Sequence, residues 1–425
     1  RDVYKRQALN SSNYLNEDSE KKLAYDNAVS QAEQLINQLN DPTMDISNIQ
    51  AITEKVIQAK DSLHGANKLA QNQADSNSII NQSSNLNDKQ KQALNDLINH
   101  AQTKQQVAEI IAQANKLNND MGTLKTLVEE QSKVHQQSKY INEDPQVQNI
   151  YNDSIQKGQE ILNGTTDDVL NNNKIADAIQ NIQLTKNDLH GEQKLQKAQQ
   201  DANNELNYLT NLNNSQRQSE HDEINSAPSR TEVSNDLNHA KALNEVMRQL
   251  ENEVALENSV KKLSDFINED ESAQNEYSTA LQKAKDIING VPTSTIDKAT
   301  IEGALLELQN ARESLHGEQK LQEAKNQAVA EIDHLQALNP GQVLAEKTLV
   351  NQASTKPEVQ EALQKAKELN EAMKALKTEI DKKEQIKADS KYINADSGLQ
   401  ANYNSALNYG CLLYTSLSGL ARQTG

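Results

Sequence analysis

Tyr140-Ile-Asn-Glu-Asp144 and, further on, Leu189-His190-Gly191 are the two strings whose reading decides the fold. The first returns as Tyr14-Leu-Asn-Glu-Asp18, Phe266-Ile-Asn-Glu-Asp270 and Tyr392-Ile-Asn-Ala-Asp396, and the second as Leu63-His64-Gly65 and Leu315-His316-Gly317. Every step is 126 residues, and Tyr25, Tyr151, Tyr277 and Tyr403 keep the same step. A period held without insertion is the signature of an array of like units. The chain is therefore read as a tandem repeat.

Composition says what the repeated unit is made of. Of 425 residues, 35% are hydrophobic, with one Phe and no Trp, so one large core is excluded. Ala, Leu, Lys, Glu and Gln, all good helix formers, are abundant, and there are only 6 Pro and 13 Gly. Such low hydrophobicity also fits disorder, and periodicity decides between the two. The net charge of −18 gives no general attraction to nucleic acid or anionic lipid. Lys and Arg are spread along the chain as solvated helix faces. No run of ~18 apolar residues predicts membrane insertion, and no signal-peptide pattern opens the sequence as given. The single Cys411 leaves no internal disulfide framework.

Each period divides into two halves that read as three-helix bundles. In one half, Asp144-Pro145 reads as an N-cap with Pro at the first helical position. Val147, Ile150, Tyr151, Ile155 and Ile161 follow, and Asn163-Gly164 is a stop. After a polar loop over Thr165–Asn173, Ile175, Ala178, Ile179, Ile182 and Leu189 carry the next helix. In the other half, Leu321, Ala324, Ala328, Ile332 and Leu335 form one apolar stripe. Asn339-Pro340 opens a middle helix. Thr103 with Gln106, Ser229 with Glu232 and Thr355 with Glu358 are capping boxes that open a last helix. That last helix carries Val107, Ile111, Ala114, Leu117, Met121, Leu124 and Val128, with no Gly or Pro stop after it. Its pattern weakens over Glu130–Lys133 and resumes at Val134 and Tyr140. This predicts one continuous helix of about 35 residues, ~50 Å long, that closes one bundle, changes partners at the polar gap and opens the next. Three periods then reach on the order of 150 Å.

The half that begins at Tyr-Ile-Asn-Glu-Asp and ends at Leu-His-Gly resembles a FIVAR module. The other half is similar to the GA module, a three-helix fold of bacterial albumin-binding proteins. Its boxes are Leu-Asn-x-x-Gln (Leu86 to Gln90, Leu212 to Gln216, Leu338 to Gln342) and Leu-Asn-x-x-Met (Leu117 to Met121, Leu243 to Met247, Leu369 to Met373). The expected fold class is thus all-α, a tandem array of alternating FIVAR-like and GA-like three-helix bundles joined by long shared helices as an elongated rod. FIVAR-like bundles are expected over 8–64, 126–190, 252–316 and, in part, 378–408, and GA-like bundles over 65–125, 191–251 and 317–377. Residues 1–7 and 409–425 break the period and resemble translated sequencing adapter, so they read as non-native.

Alternation of these modules resembles the repeat regions of giant staphylococcal surface proteins. The resemblance implies an extracellular, cell-wall-associated, non-enzymatic stalk with extracellular-matrix adhesion of the fibronectin type and an envelope-support role. Albumin binding by all three GA-like copies is the alternative. It is disfavoured because the middle helices differ. Asp88–Ala101 is basic and Leu-bearing, Ser215–Ala227 is acidic with almost no apolar residue, and Gly341–Ala353 is more apolar. With only Ile224 and Ala227 at apolar positions, the second GA-like bundle is expected to be the weakest.

No residue pattern calls for catalytic, cofactor-binding or metal-ligating roles. His64, His190 and His316 lie a full period apart, whereas structural zinc needs about four converging ligands. They read as junction or capping residues. His100, His221, His239 and His334 do not recur and read as surface residues. Glu17-Asp18, Glu143-Asp144 and Glu269-Asp270 read as helix-start residues complementing the dipole of the helix they precede. The recurring tyrosines read as core. No Gly-rich phosphate loop, nucleophile motif or EF-hand spacing is present.

Overall fold

The computed structural model describes residues 2–415, and among these all regular structure is helical. The described residues form two compact units, 2–198 with 228–230, and 199–227 with 231–415.

In the first unit, helices Gly65–Gln82, Asp88–His100 and Lys104–Glu129 form one bundle. The middle helix opens with a capping box in which the Asn87 side chain accepts from the Gln90 N–H and Gln90 reaches back. Thr103 and Gln106 do the same for the third helix, as the sequence predicts. Lys104–Glu129 also packs against Pro145–Leu162 and Asn172–Asn187 of the next bundle. One buried cluster therefore runs from Leu69 through Ile98, Leu117, Met121, Leu124 and Tyr151 to Ile182 and Leu189. Lys104–Glu129 is the hub of this cluster, shared by two bundles.

The hub departs from expectation in two ways. It has 26 residues rather than about 35, and it ends at Glu130 although no Gly or Pro stands there. Glu130 is paired with Lys186 at 2.6 Å, and the chain turns into short helices Gln131–His135 and Ser138–Ile141. The turn brings Val134 into the core and stacks His135 on Tyr140 with ring centroids 4.2 Å apart. A straight helix would carry both away from the bundle. The change of partners also comes earlier than expected. Leu124 and Val128 already face Gly158 of the next bundle, upstream of the polar gap.

In the second unit, Asn214–Ser226 keeps Ile224 fully buried and Ala227 nearly so. Gln216 and Glu220 are buried beside them. Glu220 stands one period after Leu94, a core residue of the first GA-like bundle, and its carboxylate meets His239 Nδ1 at 2.9 Å. Burial pushes the Glu220 carboxyl up from its ordinary range, against the pull of His239. Helices Glu271–Asn289 and Lys298–Glu313 repeat the pair at Pro145–Leu162 and Asn172–Asn187. Helices Gly317–Asp333, Pro340–Gln352 and Lys356–Asp381 close a third GA-like core around Leu321, Ile332, Val350, Val359 and Leu363. The expectation of foreign ends falls partly on residues 1 and 416–425, which lie outside the described residues.

Replacing Glu220 by Leu should stabilise its bundle by roughly 1.5–3 kcal/mol, the value of burying one Leu side chain. Chemical denaturation of Glu220→Leu measures this. Backbone amides of Gln216–Ser226 should exchange about tenfold or more faster than those of Gln342–Gln352. Equal protection would contradict the ranking.

Candidate functional site

The residues that the repeat preserves converge on two joints. The first is built by the Asn-Glu-Asp string. In the first period, the Glu17 side chain is fully buried. One carboxylate oxygen accepts from the His64 backbone N–H at 2.5 Å, and the other accepts from the Asp18 N–H at 3.0 Å and from the Lys68 ammonium. Lys68 also reaches Asp18. Beside it, Asn16 donates to the Gln102 carbonyl at 3.0 Å and accepts from the Lys104 N–H at 2.8 Å.

The same constellation stands in the later periods. Glu143 accepts from the His190 N–H at 2.5 Å and pairs with Lys194, and Asn142 binds Pro228 O and Arg230 N at 3.1 and 2.8 Å. Glu269 accepts from the His316 N–H at 2.6 Å and pairs with Lys320, and Asn268 binds Ser354 O and Lys356 N at 3.1 and 2.8 Å. One short string thus ties the FIVAR-like bundle to the starts of both the first and the third helix of the following GA-like bundle. Those helix starts carry N–H groups with no intrahelical partner, and the Asn and Glu side chains fill that need.

Electrostatics follow from this placement. Burial alone would raise the Glu17 carboxyl, but Lys68 and the Asp18 and His64 N–H groups outweigh it and hold the pKa down to about 2. Glu143 and Glu269 are likewise lowered, again against the effect of burial. The Gly of Leu-His-Gly is required by contact. A Cβ on Gly191 would stand 2.6 Å from both the Glu143 backbone nitrogen and the Lys139 carbonyl oxygen.

The second joint uses the start of the middle GA-like helix. Asn87 donates to the Ile161 and Leu162 carbonyls at 3.2 and 3.4 Å, where Pro145–Leu162 ends, and Gln90 donates to Val169 O at 3.0 Å. Asn213 repeats this on Ile287 and Ile288, and Gln216 on Thr295. Gly164, at φ +65°, supplies the left-handed turn after Pro145–Leu162 and packs on Asn87.

One expectation is corrected here, one is refined, and one set of residues was missed. Glu17, Glu143 and Glu269 serve the helix that begins after Leu-His-Gly, not the one they directly precede. His64, His190 and His316 do act at the junction, but through their backbone N–H. Each ring folds back on the carbonyl two residues earlier, at 2.6 to 2.7 Å. The partners Lys68, Lys194 and Lys320 were not singled out from sequence, although they recur at the same step four residues after each His. Tyr25, Tyr151 and Tyr277 are core, as expected, with edge-to-face contacts to Tyr14, Tyr140 and Phe266. Among the described residues, no group of three or more His, Cys, Asp and Glu is arranged to hold a metal, and no helix is long and apolar enough to cross a membrane.

This architecture defines a class of protein, the helical repeat array whose neighbouring bundles are interlocked. The chain belongs to the family built of FIVAR domains, matched at residues 5–64, 120–190, 246–316 and 372–410, and GA modules, matched at 66–120, 192–246 and 318–372. It is 40% identical over 397 residues, 93% of its length, to extracellular matrix-binding protein EbhA of Staphylococcus aureus strain N315. It is equally similar to extracellular matrix-binding protein ebh of strain JH9. The chain spans 6% and 4% of those relatives. A crystal structure of an EbhA fragment from Staphylococcus aureus matches 58% of this chain and 98% of that one, with a TM-score of 0.55 and 25% identity. These modules are not enzymes, and neither is this chain.

Two outcomes test the joints. Gly191→Ala should cost about 1–3 kcal/mol or more, because backbone must move, and Glu143→Gln about 1.5–3 kcal/mol, the worth of hydrogen bonds to a charged group. Thermal unfolding reads both. The pH dependence has a fixed sign. A carboxyl lowered by folding contributes stability that is present above its unfolded pKa and lost as pH falls through its folded pKa. The first joint should be intact at pH 5 and weaken between the ordinary value of 4.5 and about 2. Hydrogen exchange at His64 and Lys104 against pH measures it.

Proposed function

We propose that the chain is a length of a rod-like, cell-wall-associated surface stalk that supports the bacterial envelope and adheres to extracellular-matrix protein of the fibronectin type. The observation that carries this reading is the pair of joints in each period. Buried Asn and Glu side chains join neighbouring bundles at one, Asn and Gln at the other, and the helix Lys104–Glu129 shares its core with both bundles that it touches. The bundle limits read from the sequence, 8–64, 65–125 and their repeats, are the units of this stalk. The matrix-binding names of the relatives support the adhesive part.

Capture of albumin through one shared face is the less favoured reading. The first middle helix exposes Leu97 and the third exposes Leu344 and Leu349, whereas Asn214–Ser226 exposes no large apolar residue.

Solution scattering on residues 8–408 tests the stalk. A rod of about 150 Å has a radius of gyration of about 40 Å, against about 22 Å for a compact domain of this length. A value near the lower figure would overturn the reading. Retention of fibronectin rather than albumin from plasma by the intact chain would support the adhesive part, and the reverse would favour the albumin reading.

A further inference from the structure

One face of the second GA-like bundle departs from its equivalents in chemistry. The first bundle carries Leu94, Leu97, Ile110 and Gln113 at four register positions of its middle and last helices. One period on, these are Glu220, Glu223, Asp236 and His239. In the third bundle they are Glu346, Leu349, Ala362 and Lys365. The second period alone sets three carboxylates and a histidine there. The structure brings them together. Glu220 is 1% exposed, and its carboxylate meets His239 Nδ1 at 2.9 Å. Burial pushes the Glu220 carboxyl up, against the pull of His239, and Asp236 and Glu223 push it the same way. Asp236 is raised as well, by burial first and then by Glu223 and Glu232. In the next bundle, the carboxyl of Asp297 is held down chiefly by the Thr300 hydroxyl, and the charge of His239 adds to this. The neighbouring cations are engaged elsewhere. Arg217 donates to the Leu206, Asn207 and Leu212 carbonyls, and Lys241 pairs with Glu205 of the first helix at 2.5 Å. His221 turns outward to Asp222 and Asn225. His239 is the cation set among these carboxylates.

We propose that this face is a proton-operated clasp on the middle helix Asn214–Ser226, closed in mild acid and slackened as pH rises toward 8, and that the Gln216 joint to the next bundle slackens with it. A histidine changes charge between pH 5 and 8. With His239 charged, Glu220 has its counter-ion. With His239 neutral, three carboxylates share one face, and Glu220 is a buried charge with no cation beside it, which is strongly unfavourable. The carboxyls act with the same sign. A carboxyl raised by folding binds its proton more tightly in the folded chain. Its contribution to stability is fully present below the unfolded values, 4.5 for Glu220 and 3.8 for Asp236, and is lost as pH rises through the folded ones. The Glu17 joint has the opposite sign, so the clasp works above pH 5, where that joint stays intact. Slack passes to the next bundle because Asn213 and Gln216, at the start of the clasped helix, hold the Ile287 and Thr295 carbonyls.

Hydrogen exchange of the full chain between pH 5.5 and 8, corrected for intrinsic rates, tests the clasp. Protection of Gln216–Ser226 relative to Asp88–His100 should fall at least about fivefold over this range. His239→Lys supplies the permanent charge of the third bundle, and Glu220→Leu restores the residue of the first. Each should bring the fall below about twofold, whereas His221→Gln should leave it unchanged. Because Glu220→Leu fills the core, its result does not depend on a damaged fold. Spin labels at Gln218 and Thr293, exposed on the two sides of the Gln216 joint, should give a distance distribution that broadens at pH 8. Constant relative protection, a fall as large in His239→Lys and Glu220→Leu as in the unaltered chain, or a distribution of unchanged width would overturn the proposal.

Discussion

Everything in this architecture depends on a carboxylate placed where an isolated one would be costly. Glu17, Glu143 and Glu269 are buried, each with a lysine whose own side chain is about one-third exposed. Burying such a pair is weak evidence for stability, because desolvation offsets much of the Coulombic gain. What tips the balance is the remaining hydrogen bonding. Each carboxylate also accepts two backbone N–H groups, one of them at the start of the next helix. The result is register: only one docking of the bundles satisfies all these groups at once, and an alternative docking would strand a buried charge.

The second consequence is the use of helix ends as attachment points. Helix termini carry unpaired N–H and C=O groups by construction. At the joints several of them are taken by side chains of the neighbouring bundle. Asn16 and its repeats take the first N–H of the hub, and Asn87 and Asn213 take the last carbonyls of the FIVAR-like helix. A chain poor in large apolar residues can thereby hold its bundles together through polar bonds to backbone, where sequence drift in the partner side chains does little harm. The middle GA-like helices show such drift, from Leu94 to Glu220, without loss of the joint at Gln90 and Gln216.

Much of this was legible in the sequence. The period, the helix starts at Thr103 and Thr355, the left-handed stop at Gly164, the tyrosine core and the seam of the hub all come from local chemistry, which the fold leaves intact. The end of the hub at Glu130 was not legible, because no local signal ends it. The turn is imposed by Lys186 and by the burial of Val134, contacts that exist only in the folded bundle. For the same reason Glu17 looked like a cap for its own helix. Its acidic character near a helix start was correctly seen, but which start it serves is a fact of tertiary structure. The recurrence of Lys68, Lys194 and Lys320 in step with the glutamates was the signal that could have joined the two.

The central claim is that the buried glutamate fixes one bundle on the next. It is tested most directly by double electron–electron resonance between spin labels at Gln282 and Asn326, exposed positions on the two sides of the Glu269 joint. The account predicts one narrow distance distribution in the unaltered joint and a broad one in Glu269→Ala. A broad distribution with Glu269 in place, or a narrow one without it, would contradict the account.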